Sequence, residues 1–496
     1  MKPSLFTKSL LGVALSTASL LSIAAPLDLD TSFSGDGMLT ANYGTGGTHT
    51  YLQDVEITPD DKIIAVGYAQ RTDGKFDMLL VKYNLDGSLD NSFGSNGTVN
   101  LLIGTNTRGE ALAIQPDGKL IVAGHSLGPT NTWGVFVKRF NVDGSIDPSF
   151  IEYNYNPTVL ISSTVTPRTV RAKGIALTTN GKILVSMTEH HLDTGAIASS
   201  LDRSRLVQLN AGGSLDTSFG TNGLTDISHH SSSYEPGKFA LSTTGDIYVP
   251  GRRRDAPIAF RTETMKLTKY DIDGNWVSFG GAIDGWERRS PTALQSGMAK
   301  ATDKLTSALV LPDGNVISVG CIAAASGANH HTARIQRTGD NGYGLVAVDS
   351  PIGTQHSDTQ YNFNNSHPAV INEHCFRDVT YHPSVGIIAV GGIANGSSSP
   401  NVIPSPTWGS LATSTYTFTP ASGGAASTLN ATAHVRRGTV DKGYLNAVAV
   451  THGGKIVSVG YMDVPGGTTM YEAVVQVTQG APLPNMSATD SIGTLS

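Results

Sequence analysis

Charged residues that interrupt strands of small and apolar residues are the first candidates for chemistry in this chain. Asp54 and Glu56 open one such segment, Asp378 opens another, and Lys238 holds the corresponding place in a third. Two carboxyl groups facing each other about 5–9 Å apart could act as acid and base on a glycosidic bond. The simpler interpretation is that these charges are solvated at the end of a channel. Asp54, Glu56 and Asp378 are therefore weak catalytic candidates, and the sequence assigns no catalytic residue.

A second candidate is the run of three arginines Arg252, Arg253 and Arg254, in a chain whose formal charge is −6. Guanidinium groups bind carboxylates and sulfates through paired hydrogen bonds, so the run predicts a ligand-binding site for an acidic group. The alternative is a solvated cluster neutralised by Asp255. Three aromatic residues could stack on a sugar or could pack beneath long loops. They are Tyr234, Trp286 and Trp408.

Metal chemistry has weak support. Turns of the type Asn-x-Asp-Gly-Ser-x-Asp resemble parts of calcium loops, but they lack a complete ligand set, and aspartate is an ordinary turn former. The possible calcium ligands are the pairs Asp86/Asp90, Asp143/Asp147 and Asp271/Asp273. The sequence contains no zinc-type ligand spacing, no phosphate-binding glycine loop and no nucleophile motif. We therefore predict no cofactor and no metal site, with calcium as the alternative.

The chain has two cysteines, Cys321 and Cys375. Each lies beside a strand of the repeat described below, on the same face and in neighbouring repeats. If the protein is exported to an oxidising compartment, these positions favour a structural disulfide. The alternative is two unpaired thiols that lie near each other.

These candidates are positioned by a hairpin that recurs along the chain. Each copy has a strand with apolar residues at alternate positions, a turn of the Pro-Asp-Gly type and a second, fully apolar strand. The copies are Asp54–Tyr68, Ala111–His125, Gly174–Thr188, Lys238–Arg252, Ser307–Cys321, Asp378–Gly392 and Ala447–Tyr461. A third strand follows each copy, and we place these strands at Met78–Tyr83, Val135–Phe140, Arg205–Leu209, Met265–Tyr270, Ala333–Arg337, His434–Arg437 and Ala473–Val477.

The copies are 57 to 71 residues apart, which predicts an all-β, seven-bladed β-propeller of four-stranded antiparallel blades. A second signature, clearest at Asn84–Gly97, follows the third strand in the early copies. A lone copy of it, Leu29–Gly37, precedes the first hairpin. We expect it to supply the outer strand that the seventh hairpin lacks, so that pairing of the N- and C-terminal strands closes the ring.

The two signatures together resemble a known family. The pattern Leu-Asp-x-Ser-Phe-Gly-x-x-Gly at Leu89–Gly97, with Gln-Pro-Asp-Gly-Lys-x-x-Val-Ala-Gly at Gln115–Gly124, resembles the delta-60 repeat family of bacterial β-propellers. The resemblance covers the chain well to about residue 280 and the last three copies only through their hairpins, so blade boundaries after residue 280 stay open. It implies a propeller and an exported or surface protein, and it implies no defined reaction.

The N-terminus predicts export. Residues 1–24 combine Lys2 and Lys8 with an apolar stretch and small residues before Ala24, as in a secretory signal peptide, and the alternative is an uncleaved anchor. Loss of the two lysines brings the formal charge to −8, which does not favour nucleic acid or an anionic membrane. We expect residues 25–479 to form the propeller and 480–496 a disordered tail. The mature protein should be periplasmic, extracellular or at the cell surface, without membrane insertion.

The longer insertions fall on one face, which we call the loop-rich face, and the tight hairpin turns lie on the other. The insertions are Glu189–Asp202, Arg252–Arg261, Ile322–Asn329, Asp349–His374 and Asn395–Leu429. Binding residues tend to lie on loops held by a rigid scaffold. The leading hypothesis is a non-enzymatic propeller that binds a protein or a carbohydrate through this face. The alternatives are a polysaccharide hydrolase or lyase with its site at the central channel, and a structural module of an envelope assembly. The sequence leaves the oligomeric state open.

Overall fold

The computed structural model describes most of the repeat region. The described residues are 28–129, 132–155, 169–190, 203–228, 233–254, 263–278, 286–289, 304–323, 331–338, 344–346, 359–361, 372–395, 411–419, 428–437, 442–463 and 470–480. The predicted signal peptide, residues 481–496 of the predicted tail and most of the predicted insertions lie outside these ranges.

Within these ranges the secondary structure is entirely β, as predicted, and the strands form four-stranded antiparallel units. The innermost strands are Gly46–Ile57, Asn106–Ile114, Thr169–Leu177, Ser233–Pro236 with Ala240–Leu241, Lys304–Val310, Asn372–His382 and Lys442–Val450. The second strands are Ile63–Arg71, Leu120–Leu127, Ile183–His190, Ile247–Arg254, Val316–Ala323, Gly386–Asn395 and Ile456–Asp463. The third strands are Phe76–Tyr83, Trp133–Phe140, Arg203–Leu209, Glu263–Tyr270, His331–Thr338, Leu411–Thr419 and Tyr471–Thr478. The outer strands, from the first unit to the seventh, are Thr98–Leu101; Tyr153–Tyr155; Leu224–Asp226; Trp276–Val277 with Trp286–Arg289; Gly344–Val346 with Thr359–Tyr361; Thr428–Arg437; and Met38–Ala41.

All seven predicted hairpins pair antiparallel. Their second strands are apolar throughout because they are covered on both faces. Ile63 and Ala65 pack on the side of the seventh copy, whereas Ile64 and Val66 pack toward the second copy. The core is therefore a series of layers between successive units.

An ion pair joins the two sequence signatures within a unit. The lysine that follows the hairpin turn reaches the aspartate of the Leu-Asp-x-Ser-Phe element, and that aspartate also accepts hydrogen bonds from the serine two residues on. The pairs are Lys62–Asp90 at 2.8 Å, Lys119–Asp147 at 2.8 Å, Lys182–Asp216 at 2.6 Å and Lys455–Asp30. The phenylalanine of the same element is buried in the early units, as Phe93 and Phe219 show.

A β-bulge in the innermost strands explains the glycine that ends most hairpins. The strand register shifts by one residue just before the hairpin, for example between Leu445 and Ala447. The bulge brings a carbonyl oxygen over the second strand, so that a Cβ on Gly460 would lie 1.8 Å from the Tyr444 oxygen. The same close approach occurs at Gly67, Gly320 and Gly391. Glycine fits this position in these copies because a Cβ would meet the carbonyl oxygen, whereas the third copy keeps the bulge with Met187 at the equivalent position.

This close contact gives a first testable prediction. Gly460→Ala should lower the free energy of unfolding by about 2–3 kcal/mol, because the backbone must move to admit the Cβ. Gly453→Ala in the same hairpin is the control, since a Cβ there would lie 3.8 Å from its nearest neighbours, the side-chain oxygens of Asp61 and Thr451. We expect that change to stay within about 0.5 kcal/mol. Urea unfolding of both variants tests the bulge, and equal stabilities would contradict it.

The sixth copy corrects two sequence-based predictions. Its third strand is Leu411–Thr419, which pairs with the second strand, whereas His434–Arg437 belongs to the fourth strand, Thr428–Arg437. The segment Asn395–Leu429 is therefore not a single loop, because it contains a complete strand. The physical reason is that this strand is dominated by threonine, and its few large apolar residues are too scattered to mark it as a buried strand.

The two cysteines lie at the distance expected of a disulfide. The sulfur atoms of Cys321 and Cys375 are 2.09 Å apart, which is disulfide distance, and their Cα atoms are 4.8 Å apart. Both residues lie within strands rather than beside them. The N-terminal strand Met38–Ala41 pairs antiparallel with the final strand Tyr471–Thr478. The described part of the chain includes no helix long and apolar enough to cross a membrane.

Candidate functional site

The first residues of the hairpin copies meet around a central cavity of about 130 Å³, which all seven innermost segments line. Its charged lining residues include Asp54, Glu56, Lys238 and Asp378. These residues are far apart in sequence, and only the radial arrangement of the hairpins brings them together. The structure thus places the charges named in the sequence inside the channel rather than on the outer surface.

Lys238 lies between the two aspartates. Its Nζ is 2.8 Å from Asp54 Oδ1 and 3.1 Å from Asp378 Oδ2. The side chains of Asp54, Lys238 and Asp378 are 15, 23 and 12% exposed. Burial alone would lower the pKa of Lys238, but the two carboxylates outweigh it and raise that pKa above its ordinary value. We call this ion-paired group, Asp54–Lys238–Asp378, the clasp.

The clasp also joins neighbouring innermost strands through hydrogen bonds. Asp54 Oδ2 accepts the Leu112 backbone N–H at 2.9 Å, which links the first copy to the second. Asp378 accepts the Ser307 hydroxyl at 2.7 Å and the Val448 N–H at 3.2 Å, which links the sixth copy to the fifth and seventh. Both carboxylates therefore bind structural donors as well as a lysine, an arrangement that suits holding the strands in place.

Glu56 lies in the same cavity without an ion pair to Lys238 among the described contacts. Burial raises the pKa of Glu56 to about 8, and the nearby charge of Asp54 adds to that effect. The carboxyl group is therefore protonated in the folded protein at neutral pH.

Glu56 gives a pH-dependent prediction. The pKa of Glu56 is about 8 in the folded protein, whereas an unperturbed glutamate has a pKa of 4.5. The folded state therefore loses stability as the pH rises between these two values. Glu56→Gln should remove that loss and raise the free energy of unfolding at pH 8 by up to about 4 kcal/mol relative to the wild type. Urea unfolding between pH 5 and about 8 measures the effect. An unchanged difference between the two proteins across this range would refute the shift.

The bulge residues form a second ring at the end of the channel away from the hairpin turns. They are Gln53, Glu110, Lys173, Gly237, Thr306, Arg377 and Asn446, all partly exposed. Together with Glu235, Arg252, Lys304 and the neighbouring backbone they line a cavity of about 170 Å³. We call these seven bulge residues with Glu235, Arg252 and Lys304 the mouth. It opens on the loop-rich face, since the bulges lie on the opposite side of each hairpin from its turn.

The mouth carries more positive than negative charge. Glu235 accepts hydrogen bonds from Lys173, at 3.2 Å, and from Arg252. Burial would raise the pKa of Glu235, but Lys173, Arg252 and Lys304 hold it below its ordinary value. One carboxylate thus faces several cations.

The pKa of Glu110, the second acid of the mouth, shifts in the opposite direction from that of Glu235. Burial raises the pKa of Glu110 to about 7, although Lys173 and Arg108 favour its charged form. Glu110 is consequently only partly ionised at neutral pH. With Lys173, Arg252, Lys304 and Arg377 present, the mouth is locally basic in an acidic protein.

Comparison with known proteins identifies the architecture. The family described as "Domain of unknown function (DUF5122) beta-propeller" matches residues 58–93, 115–150 and 195–219, which are parts of the first three repeats. The chain is a β-propeller. This family is of the delta-60 repeat type that the sequence signatures resemble.

Solved structures share only distant similarity with this propeller. A PL25 ulvan lyase bound to its sugar ligand is 9% identical, with a TM-score of 0.48 over 90% of this chain and 100% of the lyase. A puromycin hydrolase mutant is 15% identical, with a TM-score of 0.44 over 94% of this chain and 58% of that protein. The N11 neuraminidase-like protein of A/flat-faced bat/Peru/033/2010 is 11% identical, with a TM-score of 0.37 over 93% of this chain and 99% of that protein. No curated protein matches this chain. No activity is transferred from these similarities.

The three arginines named in the sequence separate in the propeller. They were expected to begin a loop, but all three belong to the strand Ile247–Arg254, where successive side chains point to opposite faces. Arg252 lines the mouth, whereas Arg253 does not. The side chain of Arg254 lies outside the described residues. The expected cluster is therefore divided between two faces.

The remaining candidate residues from the sequence are buried, are bonded within their own turns or lie outside the described residues. Tyr234 was a possible sugar-stacking residue, but it is 2% exposed and its hydroxyl donates to the Val249 carbonyl at 2.9 Å. The Trp286 side chain and all of Trp408 lie outside the described residues. Asp86, Asp143 and Asp271 accept hydrogen bonds within their own turns. Among the residues with described positions, no group of three potential metal ligands occurs.

Sequence reasoning missed most of the mouth. The usable signal was the residue immediately before each hairpin copy, which is polar in six copies and Gly237 in the fourth. That residue lies outside the alternating pattern, so the pattern assigns it no role. A bulge takes one residue out of the alternation and re-aims it, which is why the pattern of the strand did not identify it.

Proposed function

We propose that the propeller has seven blades and that its ring closes between the N-terminal and C-terminal strands. Three contacts between the ends of the chain repeat contacts that other units make within themselves or with a neighbouring copy. Lys455 pairs with Asp30 as Lys62 pairs with Asp90. The parallel bridge of His49 with Tyr471 repeats that of Thr169 with Trp133. Strand Met38–Ala41 also takes the outer position beside the final strand.

We further propose that the protein is an exported, non-enzymatic binding protein that holds an anionic ligand at the mouth. The observation that carries this proposal is the set of four cations, Lys173, Arg252, Lys304 and Arg377, around one concave site on the loop-rich face. Charges on the rest of the acidic surface are screened beyond roughly 8 Å at physiological ionic strength, so the local charge decides binding. Concave sites with a few convergent charged groups are the usual form of ligand sites.

The clasp supports a binding role over a catalytic one. A glycosidase needs one carboxyl group free to protonate the leaving oxygen and another to act on the sugar or on water. Asp54 and Asp378 are instead bridged by Lys238 and bonded to strand donors. We propose that the clasp holds the innermost strands so that the mouth keeps its shape.

The test of the binding function compares anionic polymers with a neutral one. Mature protein, residues 25–496, should bind polygalacturonate and dextran sulfate and should not bind neutral dextran, as measured by titration calorimetry. The affinity for the charged polymers should fall as salt is added, because the contact is electrostatic. Binding to all three polymers alike, or to none, would refute an anion site. Export is tested separately by N-terminal sequencing of the secreted protein, which we expect to begin after Ala24.

A specific observation favours the enzymatic alternative. Glu110 combines a position in the mouth with a pKa of about 7, which suits proton transfer at neutral pH. A hydrolase or lyase acting on an anionic polysaccharide would shorten its substrate, and viscometry of polygalacturonate solutions would detect this. Loss of that activity in Glu110→Gln would support the enzyme, and an unchanged viscosity with the wild type would support binding alone.

A further inference from the structure

A group of partly exposed aromatic side chains lies beside the mouth, and the proposed function leaves it unused. Tyr51 is the centre, with ring centroids 5.0 Å from Tyr68, 6.1 Å from Phe76, 4.9 Å from Tyr461 and 5.6 Å from Tyr471. All five rings retain some solvent exposure. We call these five residues the aromatic strip. It crosses from the first copy of the repeat to the seventh.

The aromatic strip is continuous with the mouth at two points. The Gln53 side-chain amide, a member of the mouth, donates to the Tyr68 hydroxyl at 3.2 Å. On the other side, the Arg377 guanidinium lies 4.6 Å from the Tyr444 ring, whose centroid is 5.8 Å from Tyr461. Polar groups of the mouth and the aromatic rings, several of which pack edge-to-face on one another, are therefore contiguous.

A further cation lies over the strip. The Arg108 guanidinium is 4.9 Å from the ring centroids of both Tyr68 and Phe76 and 5.7 Å from that of Trp133. A cation above aromatic faces is held in place by the negative charge of those faces. Positive charge thus continues from the mouth along the strip, so that an extended anionic ligand would meet cations and rings in succession.

We infer that the mouth and the aromatic strip together bind an acidic polysaccharide, with a carboxylate or sulfate of one sugar in the mouth and following sugar rings on the strip. This inference rests on the proposed function and names its ligand class. Aromatic faces are apolar while tyrosine hydroxyls remain hydrogen-bonding groups, which matches the apolar face and polar rim of a sugar ring.

The size of the mouth favours a polysaccharide over an acidic protein. Its cavity of about 170 Å³ is smaller than the roughly 300–1,000 Å³ that hold a drug-sized ligand. It can take a charged substituent and not a helix or a strand. Protein partners also favour tyrosine and arginine, but they usually bury about 800 Å² on each side, whereas an acidic sugar needs only a small charged pocket and neighbouring aromatic rings.

The experiment separates sugar stacking from charge alone. Mature wild-type protein is titrated with polygalacturonate, dextran sulfate and polyaspartate, and the titrations are repeated with Tyr471→Ala, Phe76→Ala and the ring-retaining Tyr471→Phe. Each alanine variant should bind the two polysaccharides about three- to ten-fold more weakly. Tyr471→Phe keeps the ring and removes only the hydroxyl, so it should lose less polysaccharide affinity than Tyr471→Ala, and polyaspartate affinity should not change in any variant. Circular dichroism of each variant checks that it is folded. The two alanine variants lie on different copies of the repeat, so if one of them fails to fold, the other still tests the inference.

The outcomes distinguish the two proposals. If polyaspartate binds as tightly as the polysaccharides and the alanine variants change nothing, the mouth binds anions but the polysaccharide inference is wrong. If no polyanion binds, the proposed function itself fails. Binding of only polygalacturonate assigns the substituent as a carboxylate, and binding of only dextran sulfate assigns it as a sulfate; both support the inference.

Discussion

Replacing Lys238 by methionine should lower the free energy of unfolding by about 3 kcal/mol. Methionine is similar in length but carries no charge, so Asp54 and Asp378 would lose the cation that lies 2.8 and 3.1 Å from them. Two carboxylates would then face each other in a largely buried channel. Burial raises the pKa of Asp54 even with Lys238 beside it, so without the lysine that carboxyl group should take up a proton more readily and the deficit should shrink as the pH falls. Guanidinium unfolding at pH 7 and at about pH 4 measures both effects.

A triple variant tests whether the loss comes from uncompensated charge. Asp54→Asn with Lys238→Met and Asp378→Asn keeps the shapes of the three side chains and removes all three charges. It should recover most of the stability at pH 7, because the amide oxygens still accept the Leu112 and Val448 N–H groups, while the amide nitrogen introduced at position 378 can donate to the Ser307 hydroxyl. Lys75→Met, at an exposed lysine outside both cavities, should change stability by less than about 0.5 kcal/mol. If Lys238→Met is no worse than Lys75→Met, the clasp does not hold the ring.

Reversing one charge of the mouth should remove most of the anion binding. Lys304→Glu changes a cation of the mouth into an anion near Glu235, whose pKa Lys304 helps to hold low. Loss of one well-placed charge contact costs about 2 kcal/mol or more, which is roughly a thirty-fold loss of affinity for polygalacturonate. Titration calorimetry at fixed ionic strength measures the change, since salt alone alters such affinities.

The matched control for this variant is Lys75→Glu. It makes the same change in net charge at an exposed lysine in the turn between the second and third strands, and that lysine does not line the mouth. Its affinity should stay within about two-fold of the wild type, because screening limits the reach of an exposed charge. Equal losses in the two variants would mean that total charge, and not the mouth, governs binding.

The hairpins were predictable from sequence because each depends on local chemistry. Alternating apolar residues, a turn of the Pro-Asp-Gly type and a second apolar run specify two paired strands without reference to the rest of the chain. The sixth copy shows where this reasoning fails. Leu411–Thr419 is rich in Thr, Ser and Ala, and its only strong apolar marks are Leu411, Tyr416 and Phe418, so the pattern pointed to the next strand instead.

The candidate site was less predictable because it depends on register and on distant residues. Asp54, Lys238 and Asp378 were visible as unusual charges, but their ion pairs join residues 184 and 140 positions apart. The mouth depends on a bulge, and a shift of one residue in register is invisible in an alternating pattern. The aromatic strip combines the first and seventh copies, which meet only because the chain returns to its start.

A single crystallographic measurement tests the anion site most directly. Crystals of the mature protein are soaked in selenate, a sulfate analogue, and anomalous differences are collected at the selenium edge. We expect an anomalous peak in the mouth within hydrogen-bond distance of Lys304 or Arg377, and we expect it to disappear in crystals of Lys304→Glu. Selenate bound elsewhere on the protein, with no peak in the mouth, would contradict the proposal that this site binds anions.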